Sequence, residues 1–334
     1  MEQYTIGIDI GGTKVAYGLF DNQKHILMRK THPSNVSYSP EEFFDDIATN
    51  IQEIVSGNHL ERENIRGVGI GMPSFILFEE GKIIKTSNLT NIHDFQARYY
   101  LMDKLAGIRV VIDNDSHTAA IAEYRYGAGR GFNNILYSAV GTGISTGIII
   151  DGSLFRGRYG WAGETGHMIV TPGEGIMCGC GNRGCIMSWC SGSMIIKHIK
   201  EWIDAGEKSN ITSFADNEQL NCNHLVDAYN SGDSLSRRAI IQMVTFLGIW
   251  SYNLYVTLNI NCFIFGGGLL KMYRSLKDGG PVSGGKIGGL TGAMKEVFDK
   301  YNKNSMPVYF KEAELSNSTC GDDFGIIGAN ELLF

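Results

Sequence analysis

The chain has few prolines, no excess of basic residues and no long uninterrupted apolar run. Only 6 of its 334 residues are proline, against 43 glycines. Without a collagen-like period, so much glycine predicts many tight turns and close backbone approaches. Lysine and arginine total 29, against 35 aspartates and glutamates, for a net charge of −6. A general nucleic-acid binder usually carries a basic face, so we expect no nucleic-acid partner.

Two further absences bear on location and redox state. No signal-peptide pattern precedes the first apolar stretch. The most apolar long stretch, residues 243–265, is interrupted by serine and asparagine. We therefore predict a buried helix followed by a strand, not a membrane span, and a cytoplasmic location. Seven cysteines, an odd number, argue against a disulfide framework. The length is natural for two domains.

Apolar periodicity and turn residues predict an α/β protein. Three meandering strands open the chain, and Ser39 with Pro40 marks the start of the first helix. Strands and helices then alternate up to a helix that begins at Asn114 or Asp115. A second strand–turn–strand hairpin, similar in plan to the first, hints at an internal duplication. The other predicted elements are strands at 4–10, 14–20, 26–31, 65–73, 108–113, 262–265 and 306–313, helices at 95–107, 233–258 and 321–334, and an irregular surface loop at 275–290.

Three glycine-rich turns each follow a predicted strand. Backbone N–H groups in such turns bind anions, because no side chain shields them. One glycine pair after a strand is usually only a turn, whereas three, two of them carrying a threonine, indicate a phosphate-bearing ligand. Their spacing fits neither a P-loop nor a dinucleotide fingerprint. The turns are Gly11-Gly12-Thr13, flanked by Asp9 and Lys14, then Gly141-Thr142-Gly143, and finally Gly266-Gly267-Gly268.

Three of the seven cysteines fall within eight residues, at Cys178, Cys180 and Cys185, with His167 upstream. Three thiolates and one imidazole make a closed tetrahedral zinc shell of the structural type. The alternative is a group of free buried thiols. Cys190 is a weaker candidate ligand, because it lies within the following helix.

Together these motifs resemble the ROK family of sugar kinases, a branch of the actin-like ATPase superfamily. The resemblance runs from Ile8 to the final helix. It implies a two-domain, ribonuclease H-like α/β fold with a cleft between the domains. Residues 1–115 and 318–334 would form the smaller domain, and 116–317 the larger one, with the zinc site and a homodimer interface. By this resemblance, the first two glycine turns bind the phosphates of ATP, the third holds the adenosine, and Asp9 holds Mg²⁺ through water.

The stretch "IDNDSHTAAIAE" resembles the family's Asn-Asp-x-x-x-Ala-Ala motif. That match implies Asp115 as the catalytic base and Asn114 as a sugar ligand. A carboxylate is suited to the task, because it can align a sugar hydroxyl and take its proton as the phosphoryl group transfers. The alternative is that Asn114 or Asp115 merely caps the helix. Asp113 is a rival base on the strand side of the motif.

The resemblance also implies a set of sugar-binding residues. Glu164 and His167 form the family's Glu-x-Gly-His motif, in which the histidine contacts both zinc and sugar through its two ring nitrogens. Asn88 is equally well explained as a turn residue. The implied sugar ligands are Gly71, Pro73, Asn88, Asn114, Asp115, Glu164 and His167.

Two positions depart from the family pattern. Ser74 stands where the family usually has glycine. Met187 stands where the family usually has a glutamate that touches the sugar, and a thioether cannot accept two hydroxyl hydrogen bonds. Ser188 lies on a different helical face. Losing such a contact changes discrimination between sugars. The candidate substrates are therefore glucose, its epimer allose, N-acetylmannosamine, N-acetylglucosamine or a cyclitol-like compound.

Three functions follow from the resemblance. The first is an ATP-dependent hexose kinase acting on a primary hydroxyl, most often O6. The second is a sugar-responsive repressor, which we do not expect, because such proteins carry a DNA-binding domain ahead of the first glycine turn and this chain is acidic. The third is a non-catalytic sugar-sensing protein, for which Met187 is the only hint.

Overall fold

The computed structural model describes residues 2–215, 218–281, 289–303 and 313–334. The strands are β1 (Tyr4–Ile10), β2 (Lys14–Phe20), β3 (Ile26–Pro33), β4 (Ile65–Met72), β5 (Ser74–Leu77), β6 (Lys82–Thr86), β7 (His93–Phe95), β8 (Val110–Asn114), β9 (Ile135–Val140), β10 (Ile144–Ile150), β11 (Ser153–Leu154), β12 (Cys262–Gly266) and β13 (Glu314–Asn317). The α-helices are α1 (Pro40–Gly57), α2 (Ala97–Lys104), α3 (Asp115–Tyr126), α4 (Ile186–Cys190), α5 (Gly192–Asp204), α6 (Cys222–Asn230), α7 (Ser234–Leu258), α8 (Gly268–Arg274), α9 (Gly289–Asn302) and α10 (Phe324–Glu331).

The first five-stranded sheet has the order β3–β2–β1–β4–β8. The opening meander is confirmed, since β1, β2 and β3 pair antiparallel. Strands β4 and β8 continue the sheet in parallel with β1. Helix α1 begins as predicted, with Ser39 and Glu42 forming a capping box. Its Phe44 and Ile47 join Ile8 and Ile70 in one buried cluster, where each such side chain contributes about 1.5–3 kcal/mol.

Helix α10 packs against β1, β4 and α3. Glycines in the strands permit this close approach. A side chain at Gly69 would put its Cβ 2.8 Å from the carbonyl carbon of Ala329, and nearer still to the oxygen. Helix α10 therefore packs directly against the backbone of the sheet.

Glu123 on α3 also holds the segment that precedes α10. Its carboxylate is buried, and Oε1 accepts hydrogen bonds from the backbone N–H groups of Thr319 (3.0 Å) and Cys320 (3.1 Å). Oε2 accepts one from Ala128 N–H at 2.9 Å. Three backbone donors compensate for the desolvation of one carboxylate.

The second five-stranded sheet has the order β11–β10–β9–β12–β13. Strand β12 pairs in parallel with both β9 and β13. When the five strands of each sheet are numbered in chain order, both sheets have the order 3–2–1–4–5. The two sheets therefore repeat one strand plan, in agreement with the similarity of the two glycine hairpins.

Helix α7 is long and apolar enough to cross a membrane by length and composition alone, but 56% of its most apolar window is buried. It packs against α4 and α9. Asp233 caps its first turn by accepting from Ser236 N–H, and Asn259 ends it in the left-handed conformation. The prediction of a buried helix followed by a strand is confirmed by α7 and β12.

Four other features differ from the sequence predictions or fall outside them. The antiparallel sheet β5–β6–β7 was not predicted. Helix α2 is shorter than predicted, because Ala106 and Gly107 take positive φ values. Within the predicted loop at 275–290, residues 282–288 lie outside the described residues. The described part contains a 3₁₀ turn at Lys277–Gly279, and its last two residues already belong to α9. The strand predicted at 306–313 falls almost wholly outside the described residues.

The chain divides by its contacts into two units. The first comprises Met1–Asn133, Gly147–Ala162 and Thr319–Phe334, and the second comprises Asn134–Thr146 and Gly163–Ser318. The boundary expected after residue 115 needs correction, because α3 packs against α10 and stays with the first unit. Residues 147–162 likewise belong to the first unit.

Candidate functional site

The carboxyl ends of three parallel strands bring predicted site residues together in the first unit. Asp9 on β1 is in register with Gly71 on β4, and Met72 is in register with Asn114 on β8. The carboxyl edge of a parallel sheet is the usual ligand-binding edge of α/β proteins. One motif from each of three distant stretches of sequence therefore meets at this edge.

The first glycine turn is held in shape by backbone hydrogen bonds. Gly11 N–H donates to Lys14 O at 2.9 Å, and the Ser34 hydroxyl donates to Gly11 O at 2.7 Å. A Cβ at Gly12 would lie 2.9 Å from Cβ of Asn88, so Asn88 lies directly against the turn. Asn88, which sequence alone left ambiguous, is exposed beside a predicted phosphate-binding loop.

Asp9 carries a carboxylate with a raised pKa at this edge. Burial, and then the negative charge of Asp115, raise its pKa to about 6, while Lys14 opposes the shift. Two carboxylates thus influence each other at the end of the sheet. Gly325 in the first turn of α10 leaves room for Asp9, since a Cβ there would lie 2.8 Å from Asp9 Cβ and nearer to the carboxylate.

Helix α3 begins at the predicted motif. Asn114 is its cap, with Oδ1 accepting from Ser116 N–H at 2.8 Å and Nδ2 donating to Ser74 O at 3.1 Å. Asp115 is the first helical residue, and its Oδ1 accepts from Ser116 N–H at 2.9 Å. Burial raises the pKa of Asp115, which strengthens it as a base once it is ionised.

Asp113, the rival base, lies in a different environment. Its carboxylate is buried and paired with His117 and Arg156, which together hold its pKa below the ordinary value although burial opposes this. An ionised carboxylate with cationic partners on both oxygens is a poor proton acceptor. Sequence reasoning missed His117 and Arg156; the four-residue spacing of Asp113 and His117 is the only local signal for the pair.

In the second unit, two glycine turns meet at the carboxyl ends of β9 and β12. Gly266 pairs with Ala139, so Gly141 and Gly268 follow adjacent strand ends. A Cβ at Gly141 would lie 3.7 Å from Gly268 N. Gly267 has φ +100°, a conformation that favours glycine. The structure therefore brings together the second and third predicted turns, which lie far apart in sequence.

A cavity of about 840 Å³ opens beside these two turns. Its size suits a nucleoside-sized ligand. Sequence reasoning placed only the glycine turns here and missed the polar residues from α5, α6 and α8. The cavity is lined by Gly141, Thr142, Gly192, Ser193, Cys222, Asn223, Val226, Asp227, Gly268, Leu269, Lys271, Met272 and Ser275.

The predicted zinc ligands converge. The four donor atoms of His167, Cys178, Cys180 and Cys185 lie within 4.8 Å of one another. Cys178 Sγ is 3.4 Å from His167 Nδ1, and Cys180 Sγ is 3.6 Å from Cys185 Sγ. These separations fit the edges of a tetrahedron, about 3.8 Å between sulfurs for Zn–S bonds of about 2.3 Å.

Cys190 lies outside the cluster, and Glu164 lies beside it. Cys190 lies apart from it, since its thiol is fully buried and donates to the Met243 carbonyl at 3.6 Å. His167 Nε2, on the ring side away from the sulfurs, is 3.9 Å from Glu164 Oε2. The histidine is thus oriented with one nitrogen toward the thiols and the other toward the glutamate.

Met187 is half-buried in α4, directly after the last cysteine of the cluster. A Cβ at Gly143 would lie 3.5 Å from Met187 Sδ, so the thioether faces the second glycine turn. Ser188 is buried, and its hydroxyl donates to Cys185 O at 2.7 Å. Ser188 therefore does not replace the missing carboxylate.

Comparison with known proteins identifies the family. The model described as "ROK family" matches residues 5–279. The chain belongs to the ROK family. A glucokinase of Thermotoga maritima is 30% identical over 332 residues, 98% of this chain and 96% of that protein. A xylose repressor of Bacillus spizizenii is 28% identical over 81% of this chain, which spans 65% of the repressor.

Solved structures show the same fold. A ROK hexokinase from Thermus thermophilus matches with a TM-score of 0.79 and 25% identity, covering 99% of this chain and 97% of that one. A ROK glucokinase from Streptomyces griseus, in complex with glucose and AMPPNP, matches with a TM-score of 0.74 and 26% identity over 98% of each chain. This ROK protein has the actin-like ATPase fold.

Proposed function

We propose that this ROK protein is an ATP-dependent hexose kinase. It transfers the γ-phosphoryl group of ATP to a primary hydroxyl of the sugar, and O6 is the proposed position. The observation that carries the proposal is the juxtaposition of Asp115 and Asp9 at the carboxyl edge of the first sheet, beside the Gly11–Lys14 turn. The Thermotoga maritima and Streptomyces griseus glucokinases support the same activity.

Asp115 is the proposed general base. The sugar hydroxyl passes its proton to the Asp115 carboxylate as its oxygen bonds to the γ-phosphorus, and the bond to the bridging oxygen of ADP breaks. Asn114 caps the helix and stays bound to Ser74 O, which leaves lone-pair and N–H capacity for one sugar hydroxyl. Capping and catalysis are thus shared between neighbouring residues.

The nucleotide roles are assigned within each unit. In the first unit, the Gly11–Lys14 turn would bind phosphate oxygens, and Asp9 would orient the water shell of Mg²⁺. In the second unit, the Gly141–Gly143 turn would bind phosphate, and the 840 Å³ cavity beside Gly266–Gly268 would take the adenosine. Mg²⁺ bound with ATP would neutralise charge on the transferring phosphoryl group.

The Cys-His cluster is the proposed structural zinc site. Its donor set of three thiols and one imidazole fits zinc, with no position left for water. His167 would bind zinc through Nδ1, because that nitrogen faces Cys178. Its Nε2 and Glu164 are the proposed sugar contacts of the second unit, and the metal would fix their orientation.

Met187 supports a sugar that makes no paired hydrogen bonds at that point. The glucokinase relatives favour glucose or its epimer allose as the first proposed substrate. Met187 favours the alternative, an N-acetylated hexosamine, since an acetyl methyl group would pack well on a thioether. Asn88 and the Gly71–Pro73 segment are the remaining proposed contacts.

The proposal is tested by ADP release with Mg-ATP over a sugar panel of glucose, mannose, allose, fructose, glucosamine, N-acetylglucosamine and N-acetylmannosamine. Asp115→Asn should abolish turnover and leave sugar affinity within about tenfold, because general base catalysis is worth roughly 10²–10⁴-fold. Asp103→Asn, an exposed carboxylate on α2, is the matched control and should keep full turnover. Near-normal turnover in Asp115→Asn would remove Asp115 as the base.

The family also contains repressors, so the same protein should be tested for sugar binding without turnover. If no sugar gives ADP release above the Asp115→Asn level while sugars still bind, a non-catalytic sugar-sensing role replaces the kinase proposal. We further propose a cytoplasmic homodimer; light scattering of the purified protein would test its oligomeric state.

A further inference from the structure

A buried ionic cluster lies directly behind the Asn114–Asp115 turn. Asp113, at the end of β8, is 1% exposed. Its Oδ1 is 2.7 Å from His117 Nδ1, and its Oδ2 is 2.8 Å from Arg156 Nε. Each carboxylate oxygen thus has its own nitrogen partner. We call Asp113, His117 and Arg156 the Asp113 cluster.

His117 is held as an imidazolium by its two neighbours. Its Nδ1 faces the Asp113 carboxylate, and its Nε2 is 2.9 Å from the carbonyl oxygen of Ala162. Both neighbours are acceptors, so both ring nitrogens must carry hydrogen. Burial opposes this charge, but the Asp113 carboxylate outweighs it and raises the pKa of His117.

A hydrogen bond connects the Asp113 cluster to Asn114, the N-cap of α3. Asp113 Oδ1 also accepts from Asn114 N–H at 2.8 Å, and Asn114 Nδ2 bonds to Ser74 O at the start of β5. The Arg156 guanidinium lies 3.8 Å from the centre of the Phe78 ring, just beyond the end of β5. These hydrogen bonds and the ring contact link β8, Asn114, β5 and Arg156, and together they hold Asn114 in place.

The charges of the cluster act on Asp115. One carboxylate and two cations leave the Asp113 cluster with a net charge of one positive. Asp113 and His117 each lie two residues from Asp115 along the chain, and Arg156 reaches the cluster through Asp113. The other charged groups of this edge are Asp9, which is negative, and Lys14, which opposes it. Burial raises the pKa of Asp115, and the positive charge of His117 counteracts that rise.

We propose that His117 and Arg156 are positioning residues that lock the Asn114–Asp115 turn and keep Asp115 ionised at neutral pH. The proposal rests on the proposed function, in which Asp115 is the base. Neither residue touches the reacting atoms in this scheme. Their effect passes through Asp113 and the backbone of Asn114, and through the positive charge of His117 two residues from Asp115.

A titration that needs no turnover tests the electrostatic part. The Asp115 carboxyl carbon is followed by NMR in ¹³C-aspartate-labelled protein, and Asp115→Asn assigns its signal. Arg156→Gln should raise the Asp115 pKa, with a roughly threefold or larger weakening of acid dissociation. Arg156→Lys should restore most of it. The control is Arg158→Gln, an exposed neighbouring charge outside the cluster, which should leave the titration unchanged.

The pH profile of kcat/KM is the second readout. In Arg156→Gln its acidic limb should move to higher pH, so that activity falls several-fold near pH 6 and recovers at alkaline pH. His117→Gln, which removes the imidazolium, should shift the limb in the same direction. Arg158→Gln should follow wild type at every pH.

The outcomes separate the two proposals. An Asp115 titration that is unchanged in Arg156→Gln, with only a lower melting temperature, would overturn the positioning role and leave a structural ion cluster. A shifted titration in a protein that phosphorylates no sugar would support the cluster's action on Asp115 and refute the kinase proposal instead.

Discussion

Replacing Gly325 by alanine tests how the fold controls the candidate site. Gly325 lies in the first turn of α10, against Asp9 at the opposite end of the chain. The new Cβ would lie 2.8 Å from Asp9 Cβ and nearer still to the carboxylate, whereas carbon atoms pack at about 3.5–4.0 Å. Either the helix or the Asp9 side chain must therefore retreat by about 1 Å.

Two free-energy terms oppose each other in Gly325→Ala. Overpacking costs about 1–3 kcal/mol. Alanine in a helix returns about 0.5–1 kcal/mol relative to glycine. We expect a net loss of about 1–2 kcal/mol and a melting temperature lower by several degrees. Turnover should fall by about 100-fold, because a displacement of about 1 Å at a reacting site has that effect.

Gly57→Ala at the end of α1 is the matched control. Nothing lies within 4 Å of a Cβ at that position, so helix propensity alone should act and the variant should be as stable as wild type or slightly more so. Both variants are compared by thermal unfolding and by ADP release with the preferred sugar. If Gly325→Ala matches Gly57→Ala in both measurements, the close packing of α10 does not constrain Asp9 and the reasoning is refuted.

Three further outcomes are expected. Glu123→Gln should lower the free energy of unfolding by about 1–3 kcal/mol, because an amide N–H₂ would face a backbone N–H; a denaturation midpoint equal to wild type would contradict this. The folded state raises the pKa of Asp9 from 3.8 to about 6, so its stabilising contribution is complete below pH 3.8 and is lost as the pH rises through 6. Asp9→Asn should therefore melt at a higher temperature than wild type at pH 8 but not at pH 4, while losing turnover; an equal difference at both pH values would argue against the shifted pKa. Cys180→Ser should lose the roughly one zinc per chain, measured by metal analysis of fresh protein, whereas Cys222→Ser should retain it; wild-type protein without zinc would end the assignment.

Local signals in the sequence were enough for much of the fold. The first meander, the helix start at Ser39 and Pro40 and the start of α3 agree with prediction. Each depends on hydrogen bonds or apolar spacing within a few residues, so the chain encodes it locally. The antiparallel sheet β5–β7 was missed, because its strands are short and their pairing is decided by packing against the rest of the first unit.

The residues of the candidate site also fall into two groups, those found from local motifs and those that only the fold brings together. The glycine turns, the Asn114–Asp115 helix start and the cysteine cluster are contiguous motifs, and sequence reasoning found them. The lining of the cavity was found only in part, since Asp227 comes from α6, a helix that carries no local sign of a ligand. The partnership of Asp113 with Arg156 likewise joins residues that are remote in sequence.

By itself, the sequence determines which residues can bind phosphate, hold a metal or cap a helix, because these properties belong to side-chain chemistry and short-range backbone conformation. Only the tertiary structure decides which carboxylate can act as a base. Asp9, Asp113 and Asp115 are chemically identical, but register across the sheet and burial give them different neighbours. Cations on both oxygens commit Asp113 to its ionised, paired form, whereas burial raises the proton affinity of Asp115 at the mouth of the helix.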